Sequence, residues 1–278
     1  MKTNLEKLIL EPIGILSSDK KYRYETPRQA VLALENLAVI ELLPGKNFEQ
    51  ALEDLNGFER IWVIYQFHLN NNWKPKVNPP FHSPQKKIGL FATRAPYRPN
   101  PIGISCVRLI RTDGLKIFIA ESDILDGSPI IDIKPYLPYS DSFPESKTGW
   151  VNAPSGTNDN YLISFDEKAL EQIKWLFDKG GFNLEDCIKL QLSSDPCNSS
   201  RKRIFSLDED SAGNKFILAY RTWRIYYQVL FETSSVLINL VKSGYTVEEL
   251  KNQEDKYKDK VLHRAFQEIF YPEERSSG

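Results

Sequence analysis

Ile104-Ser-Cys-Val-Arg-Leu-Ile-Arg-Thr-Asp-Gly-Leu-Lys-Ile-Phe-Ile-Ala-Glu-Ser122 decides the fold. Two runs rich in β-branched and aromatic residues, Ile104–Arg111 and Leu115–Ser122, flank Asp113-Gly114. That dipeptide suits the left-handed positions of a hairpin turn, so the two runs read as paired antiparallel strands. Upstream, Ile61-Trp-Val-Ile-Tyr-Gln-Phe67 is the strongest strand and reads as buried on both faces. Lys87–Ala92 is a further strand, Ala38–Leu43 a short one closed by Pro44-Gly45, and Leu8–Leu16 alternates weakly around Pro12 and Gly14. Glu49–Leu55 has room for a helical turn or two before Asn56-Gly57. Short strands with turn residues at these intervals predict a mainly β fold, an antiparallel barrel or sandwich.

Two proline-rich segments bracket the hairpin. One is Phe91-Ala-Thr-Arg-Ala-Pro-Tyr-Arg-Pro-Asn-Pro-Ile-Gly-Ile-Ser105, and the other is Ser122-Asp-Ile-Leu-Asp-Gly-Ser-Pro-Ile-Ile-Asp-Ile-Lys-Pro-Tyr136. Pro96, Pro99, Pro101, Pro129 and Pro135 fix φ and remove backbone donors, which excludes an ordinary helix. Each segment reads as a rigid loop. Arg94, Arg98, Asn100, Asp123 and Asp126 ride on them, and stiff loops that carry ionisable groups are where ligands are held.

After Phe143-Pro144 the character changes. Residues 1–146 read as the barrel domain, the Gly/Pro/Ser/Asn-rich stretch 147–160 as a linker, and 161–278 as a smaller α+β domain with a helical tail. Ser164-Phe-Asp-Glu167 has capping-box spacing ahead of a helix ended by Gly180-Gly181. Phe216–Tyr220, Trp223–Phe231 and Ser235–Val241 read as strands. Thr246-Val-Glu-Glu249 opens a charged helix running towards Phe270.

The chain has 278 residues, 41% of them hydrophobic and 26% charged, as in a water-soluble globular protein. Nothing resembles a signal peptide, and no apolar run approaches the roughly 20 residues of a membrane span. Cys106, Cys187 and Cys197 are odd in number and lack Cys-x-x-Cys spacing, which fits a reduced cytoplasm and favours neither a disulfide framework nor a zinc site. The net charge of −1 hides an asymmetry. From Arg60 to Thr112 there is no Asp or Glu, yet nine bases: Arg60, Lys74, Lys76, Lys86, Lys87, Arg94, Arg98, Arg108 and Arg111. This block suggests a face for a polyanion or a phosphorylated ligand, against the alternative of a surface balanced by acids elsewhere in the fold.

Absences narrow the chemistry. No Gly-x-Gly-x-x-Gly and no Gly-x4-Gly-Lys-Ser/Thr occurs, which disfavours Rossmann and P-loop sites. There is no His-Glu-x-x-His, and the three histidines (His68, His82, His263) are too few for a His-rich metal site, so no metal is expected.

Phe91–Ser105 followed by Asp123–Tyr136, with Pro27-Arg28-Gln29 before and Trp73-Lys-Pro-Lys-Val-Asn-Pro-Pro80 between, resembles the TsaA/TrmO family over roughly residues 8–145. These are S-adenosylmethionine-dependent methyltransferases acting on N6 of threonylcarbamoyl-adenosine 37 of tRNA. The resemblance implies a non-Rossmann β-barrel, a homodimer and a donor site near the subunit interface. It also implies roles. Pro27, Arg28 and Gln29 match the family's early donor-contacting tripeptide. Arg94 offers a guanidinium fork for the donor's carboxylate, the alternatives being a tRNA phosphate or a salt bridge to Asp123 or Asp126. Arg98 and Asn100 belong to Arg-Pro-Asn-Pro, where Asn100 also fits a purely loop-shaping part.

Ile104 and Ser105 match the adenosine-lining strand, and Asp123, Ile124, Leu125, Asp126 and Gly127 the Asp-x-Leu-Asp-Gly-Thr motif, with Ser128 in place of Thr. Asp126 or a water is the candidate acceptor for the proton leaving the base. Asp132 and Lys134 fit ligands or a structural ion pair, and His68 a ligand or a structural histidine. Lys74, Lys76, Lys86 and Lys87, with Tyr97 to stack on an unpaired base, would meet the anticodon loop. The family's Asp-Pro-Arg-Pro-Ala-Tyr is reduced here to Asp195-Pro196, followed by Arg201-Lys202-Arg203. That departure leaves two other readings open: a non-catalytic S-adenosylmethionine- or RNA-binding module, and a methyltransferase of small molecules.

Overall fold

The structure, a computed structural model, describes residues 8–22, 25, 37–78, 87–151, 161–193, 195–197, 203–207 and 213–272. The chain divides into two compact units, Met1–Lys147 and Thr148–Gly278. In the first unit the strands are β1 (Gly14–Ser18), β2 (Ala38–Leu42), β3 (Arg60–Gln66), β4 (Lys76–Val77), β5 (Ile88–Gly89), β6 (Ile102–Asp113), β7 (Lys116–Ala120) and β8 (Pro129–Pro135). Two four-residue helices accompany them, α1 (Phe48–Ala51) and α2 (Pro138–Asp141). Six strands close a barrel in the order β1-β2-β7-β6-β3-β8, every pairing antiparallel. Closure leaves no free edge, which a sandwich would have to protect in another way.

Strand alternation supplies the core. Leu16, Ile40, Ile61, Val63, Val107, Ile117, Ile119 and Ile130 all point inward and have no exposed surface. Each such side chain contributes roughly 1.5–3 kcal/mol of burial. The expectation that β3 is buried on both faces does not hold. Its burial alternates strictly, with Ile61, Val63 and Tyr65 inside and Trp62 and Ile64 half-buried outside, because a barrel has a single interior. The first strand begins at Gly14 rather than Leu8. Pro12 has no amide to donate, and β1 and β2 approach so closely that a Cβ on Gly14 would lie 2.5 Å from the Glu41 carbonyl oxygen. Of Lys87–Ala92 only Ile88–Gly89 is strand, paired with β4, and Leu90–Ala92 forms a 3-10 turn. Half of the second proline segment is strand too. Pro129 and Pro135 stand at the two ends of β8, where a missing N–H interrupts the ladder least.

The second unit carries β9 (Leu162–Phe165), α3 (Glu167–Gly180), α4 (Leu184–Leu192), β10 (Ile204–Ser206), β11 (Lys215–Tyr220), β12 (Trp223–Leu230), β13 (Ser235–Ser243), α5 (Val247–Lys251) and α6 (Lys260–Phe270). Its sheet runs β10-β11-β12-β13-β9, and only the β13–β9 pair is parallel. The capping box read at Ser164 does not form. Ser164 is drawn into β9, where its hydroxyl donates to Val236 O at 3.2 Å, and Asp166 becomes the N-cap without a capping bond, its Oδ2 accepting instead from Asn239 Nδ2 at 3.2 Å. The box at Thr246–Glu249 does form. The single tail helix is instead two, because Asn252 leaves helical geometry and Lys258 is left-handed before α6 starts. Residues 152–160 of the expected linker lie outside the described set. Among the described residues, no helix is long and apolar enough to cross a membrane.

Candidate ligand site on the barrel loops

Hydrogen bonds within the first loop make it rigid. Thr93 Oγ1 donates to Leu90 O at 2.8 Å and accepts from Ala95 N at 3.2 Å. The Arg98 guanidinium turns back to donate to Thr93 O at 3.0 Å, and Asn70 Nδ2 donates to Pro96 O at 3.0 Å. Lys74 is tied to the same loop through Tyr97, whose carbonyl takes its N–H at 3.1 Å and whose ring lies 4.6 Å from its ammonium. Arg98 thus shapes the loop, whereas Arg94 remains exposed, near enough for its charge to favour the ionised Asp123 carboxylate.

The second loop is stitched to β6, to β1 and to the segment that follows β3. Asp123 Oδ1 accepts from Ser105 Oγ on β6 at 2.5 Å. Asp126 Oδ1 accepts from Ser18 N on β1 at 2.9 Å, while Asp126 N donates to Lys20 O and Gly127 N to Leu16 O. Gly127 sits at φ +73°, which an L side chain rarely adopts. Ser128 Oγ and His68 Nδ1, just beyond β3, share a hydrogen bond at 3.2 Å. Burial pushes the Asp123 carboxyl up, opposed by the Ser105 hydroxyl and the Arg94 charge. The Tyr65 hydroxyl is likewise pushed up, by burial first and then by Asp123.

Ser105, Asp123 and Tyr65 are therefore brought together, with the Arg94 charge near enough to act on Asp123, and His68, Asp126, Gly127 and Ser128 line the other half of the loop. Ile104 is 60% exposed on the barrel's outside, opposite in pleat to Ser105. Ile124 is 1% exposed and packs in the core, Leu125 is half-buried, and Asn100 is exposed. Lys74, Lys76 and Lys87 are exposed. Pro27, Arg28, Gln29, Lys86, Arg201 and Lys202 lie outside the described residues. Asp195 lies in the second unit, where burial and then Asp195 push the Cys197 thiol up.

The acid-free basic run is only partly a free cationic face. Arg60 and Arg108 both pair with Glu121, at 2.6 and 3.0 Å, and Arg111 pairs with Asp113 at 3.2 Å while lying over Phe118. The neutralising acids come just after the run ends. Lys134 pairs with Asp132 at 2.9 Å, an ion pair within β8. Sequence reasoning missed Tyr65, Glu121 and Asn70. Among the described residues, Asn70 Oδ1 is a buried acceptor without a partner. Its only signal was a polar residue a few positions past the strongest strand.

A closed antiparallel barrel that carries half-buried carboxylates and an exposed guanidinium on two of its loops defines a β-barrel domain of the non-Rossmann kind. Comparison with known proteins makes this specific. Residues 15–142 match the model of the tRNA-methyltransferase O N-terminal domain. The chain is 32% identical over 199 residues to the tRNA (adenine(37)-N6)-methyltransferase of Escherichia coli K12, covering 69% of this chain and 83% of that one. It is 37% identical over 165 residues to the "Putative S-adenosylmethionine-dependent methyltransferase RcsF" of Pseudomonas aeruginosa, covering 59% and 68%. The crystal structure of TrmO from Pseudomonas aeruginosa superposes with a TM-score of 0.62 at 26% identity, over 86% of this chain and 99% of that one. The chain belongs to the TrmO family of tRNA methyltransferases.

Proposed function

We propose that this chain transfers the methyl group of S-adenosylmethionine to N6 of threonylcarbamoyl-adenosine at position 37 of tRNA. Family membership makes it an S-adenosylmethionine-dependent tRNA methyltransferase. The observation that carries the site is the half-buried Asp123 carboxylate, bonded to Ser105 and within the field of the Arg94 guanidinium. This donor set fits the chemistry of S-adenosylmethionine, which presents a carboxylate, an amino group and ribose hydroxyls. Asn70, which follows β3 and bonds to the first loop at Pro96 O, adds an unused buried acceptor in its Oδ1 among the described residues.

When bound, S-adenosylmethionine supplies an electrophilic methyl whose departure leaves a neutral thioether, so positioning does most of the work. Arg94 holds the carboxylate through its planar fork. Asp123 accepts from the amino group or the ribose, its own place fixed by Ser105. Asp126 is the proposed acceptor of the N6 proton, because Oδ1 is tethered by Ser18 and Oδ2 remains to receive it. His68, Ser128 and Gly127 shape the wall of the same loop. Lys74, Lys76 and Lys87 would meet anticodon-loop phosphates, with Tyr97 stacking on an unpaired base. A homodimer in the cytoplasm completes the reading.

Calorimetry with S-adenosylmethionine tests the donor site, with binding expected in the micromolar to millimolar range typical of substrates. No heat at millimolar donor would remove the enzymatic reading. Mass spectrometry of tRNA nucleosides tests the acceptor.

A further inference from the structure

We propose that Glu121 is a positioning residue for the donor loop, clamped by Arg60 and Arg108 so that Asp123 is delivered to Ser105. The inference rests on the donor site above and extends it to a residue outside the ligand-facing set. Glu121 immediately follows β7 and is left-handed, φ +58°, although it is not glycine. Such a conformation is strained for a residue with a side chain and persists only where surrounding contacts impose it. Those contacts are specific. Arg60 on β3 and Arg108 on β6 are directly opposite in the barrel ladder. Two like charges in that register repel unless an anion lies between them. Glu121 supplies it, Oε2 accepting from Arg60 at 2.6 Å and Oε1 from Arg108 Nε at 3.0 Å. Burial alone would push this carboxyl up, but the two arginines hold it below its usual range.

The geometry connects the clamp to the site. Arg108 emerges on the outer face of β6 and Ser105 on its inner face. Glu121 therefore fastens the loop to the outside of β6, and two residues later Asp123 fastens it to the inside. Ser122 and Ile124 between and beyond them are 2% and 1% exposed, which leaves the chain little freedom to settle elsewhere. With the outer grip lost, the left-handed turn relaxes and Asp123 swings away from Ser105.

Two Glu121 variants test this. Glu121→Gln keeps the size and loses the charge, while Glu121→Gly deletes the clamp but tolerates the left-handed backbone. In the donor-free protein, amide exchange at Asp126 and Gly127 should be about tenfold faster in Glu121→Gln, with β2 unchanged. Equal exchange in variant and parent would overturn the clamp whether or not donor binds. By calorimetry, S-adenosylmethionine should bind about 10- to 100-fold more weakly to both variants, with KM for tRNA unchanged. In an Asp123→Asn background the Glu121 change should cause no further loss, since it acts through Asp123. Fully additive losses, or unaltered affinity in Glu121→Gln, would refute positioning. Failure of the unmutated protein to bind donor would instead overturn the donor site and leave the exchange result to decide the clamp.

Discussion

Gly103→Ala probes the join between barrel core and site. A Cβ built on Gly103 would lie 2.5 Å from Tyr65 Cζ, 2.8 Å from Cε1 and 2.9 Å from Phe67 Cζ. Favourable carbon contacts lie at about 3.5–4.0 Å, so the Tyr65 ring would have to retreat by roughly 1 Å. It has nowhere to go, being 6% exposed and packed edge-on against Phe67 with ring centroids 5.2 Å apart. Overpacking of this kind costs about 1–3 kcal/mol. The same retreat carries the Tyr65 hydroxyl away from Ser105 and Asp123, so donor affinity should fall as well. The assay is urea denaturation of the intact chain, followed through Trp62 on β3, with calorimetry alongside. Gly57→Ala is the control, since its new Cβ would meet nothing within 4 Å, and a change there should stay within about 0.5 kcal/mol. A midpoint for Gly103→Ala matching that control would show that the close approach carries no energy and would refute the reasoning.

Three further outcomes follow from the same contacts. Asp123→Asn should stabilise the donor-free protein at pH 7 while weakening donor binding tenfold or more, as expected when a charged hydrogen-bond partner is lost. Burial raises the folded-state value of this carboxyl, so stability falls as pH rises through the window above its ordinary value. Thermal melts and calorimetry of the pair check both halves, and a destabilised variant would contradict the burial argument. In the second unit, His263 has no exposed surface and stacks on Trp223 with ring centroids 3.7 Å apart. Burial lowers it to about 4, aided by Arg224 and opposed by Asp259 and Asp255, with Thr222 and Ser243 bonded to its two nitrogens and Tyr245 edge-on. Because the unfolded chain takes up the proton first, the unit should lose stability as pH drops from about 6.5 towards about 4. His263→Gln should flatten that dependence in melts over the same range. Arg94→Lys should weaken donor binding about tenfold without altering the melt, since the exposed fork becomes a single point charge. Equal donor affinity would argue against the carboxylate role.

How far the sequence reaches depends on the range of the interactions involved. The hairpin around Asp113-Gly114 is legible because turn chemistry and strand propensity are local. The loop carrying Asp123–Gly127 is equally visible, its Asp-Gly step marking a turn and Pro129 following where β8 begins. Ser164 misleads for a non-local reason: its hydroxyl is claimed by Val236, 72 residues away, once β9 joins the sheet. The Glu121 clamp was invisible because Arg60 is 61 residues distant and only barrel closure sets it opposite Arg108. The same pairing withdraws two arginines from what the composition presented as one cationic face. Alternation likewise decides between Ile104 and Ser105, neighbours in sequence on opposite faces of β6.

The central claim is that this chain methylates N6 of threonylcarbamoyl-adenosine 37. The direct measurement incubates the intact protein with S-adenosylmethionine and tRNA that carries the threonylcarbamoyl group at position 37, then resolves the nucleosides by mass spectrometry. The account predicts conversion of that nucleoside to a species heavier by one methyl group, abolished in Asp126→Asn and in tRNA lacking the threonylcarbamoyl group. An unchanged nucleoside profile, with donor bound, would contradict it.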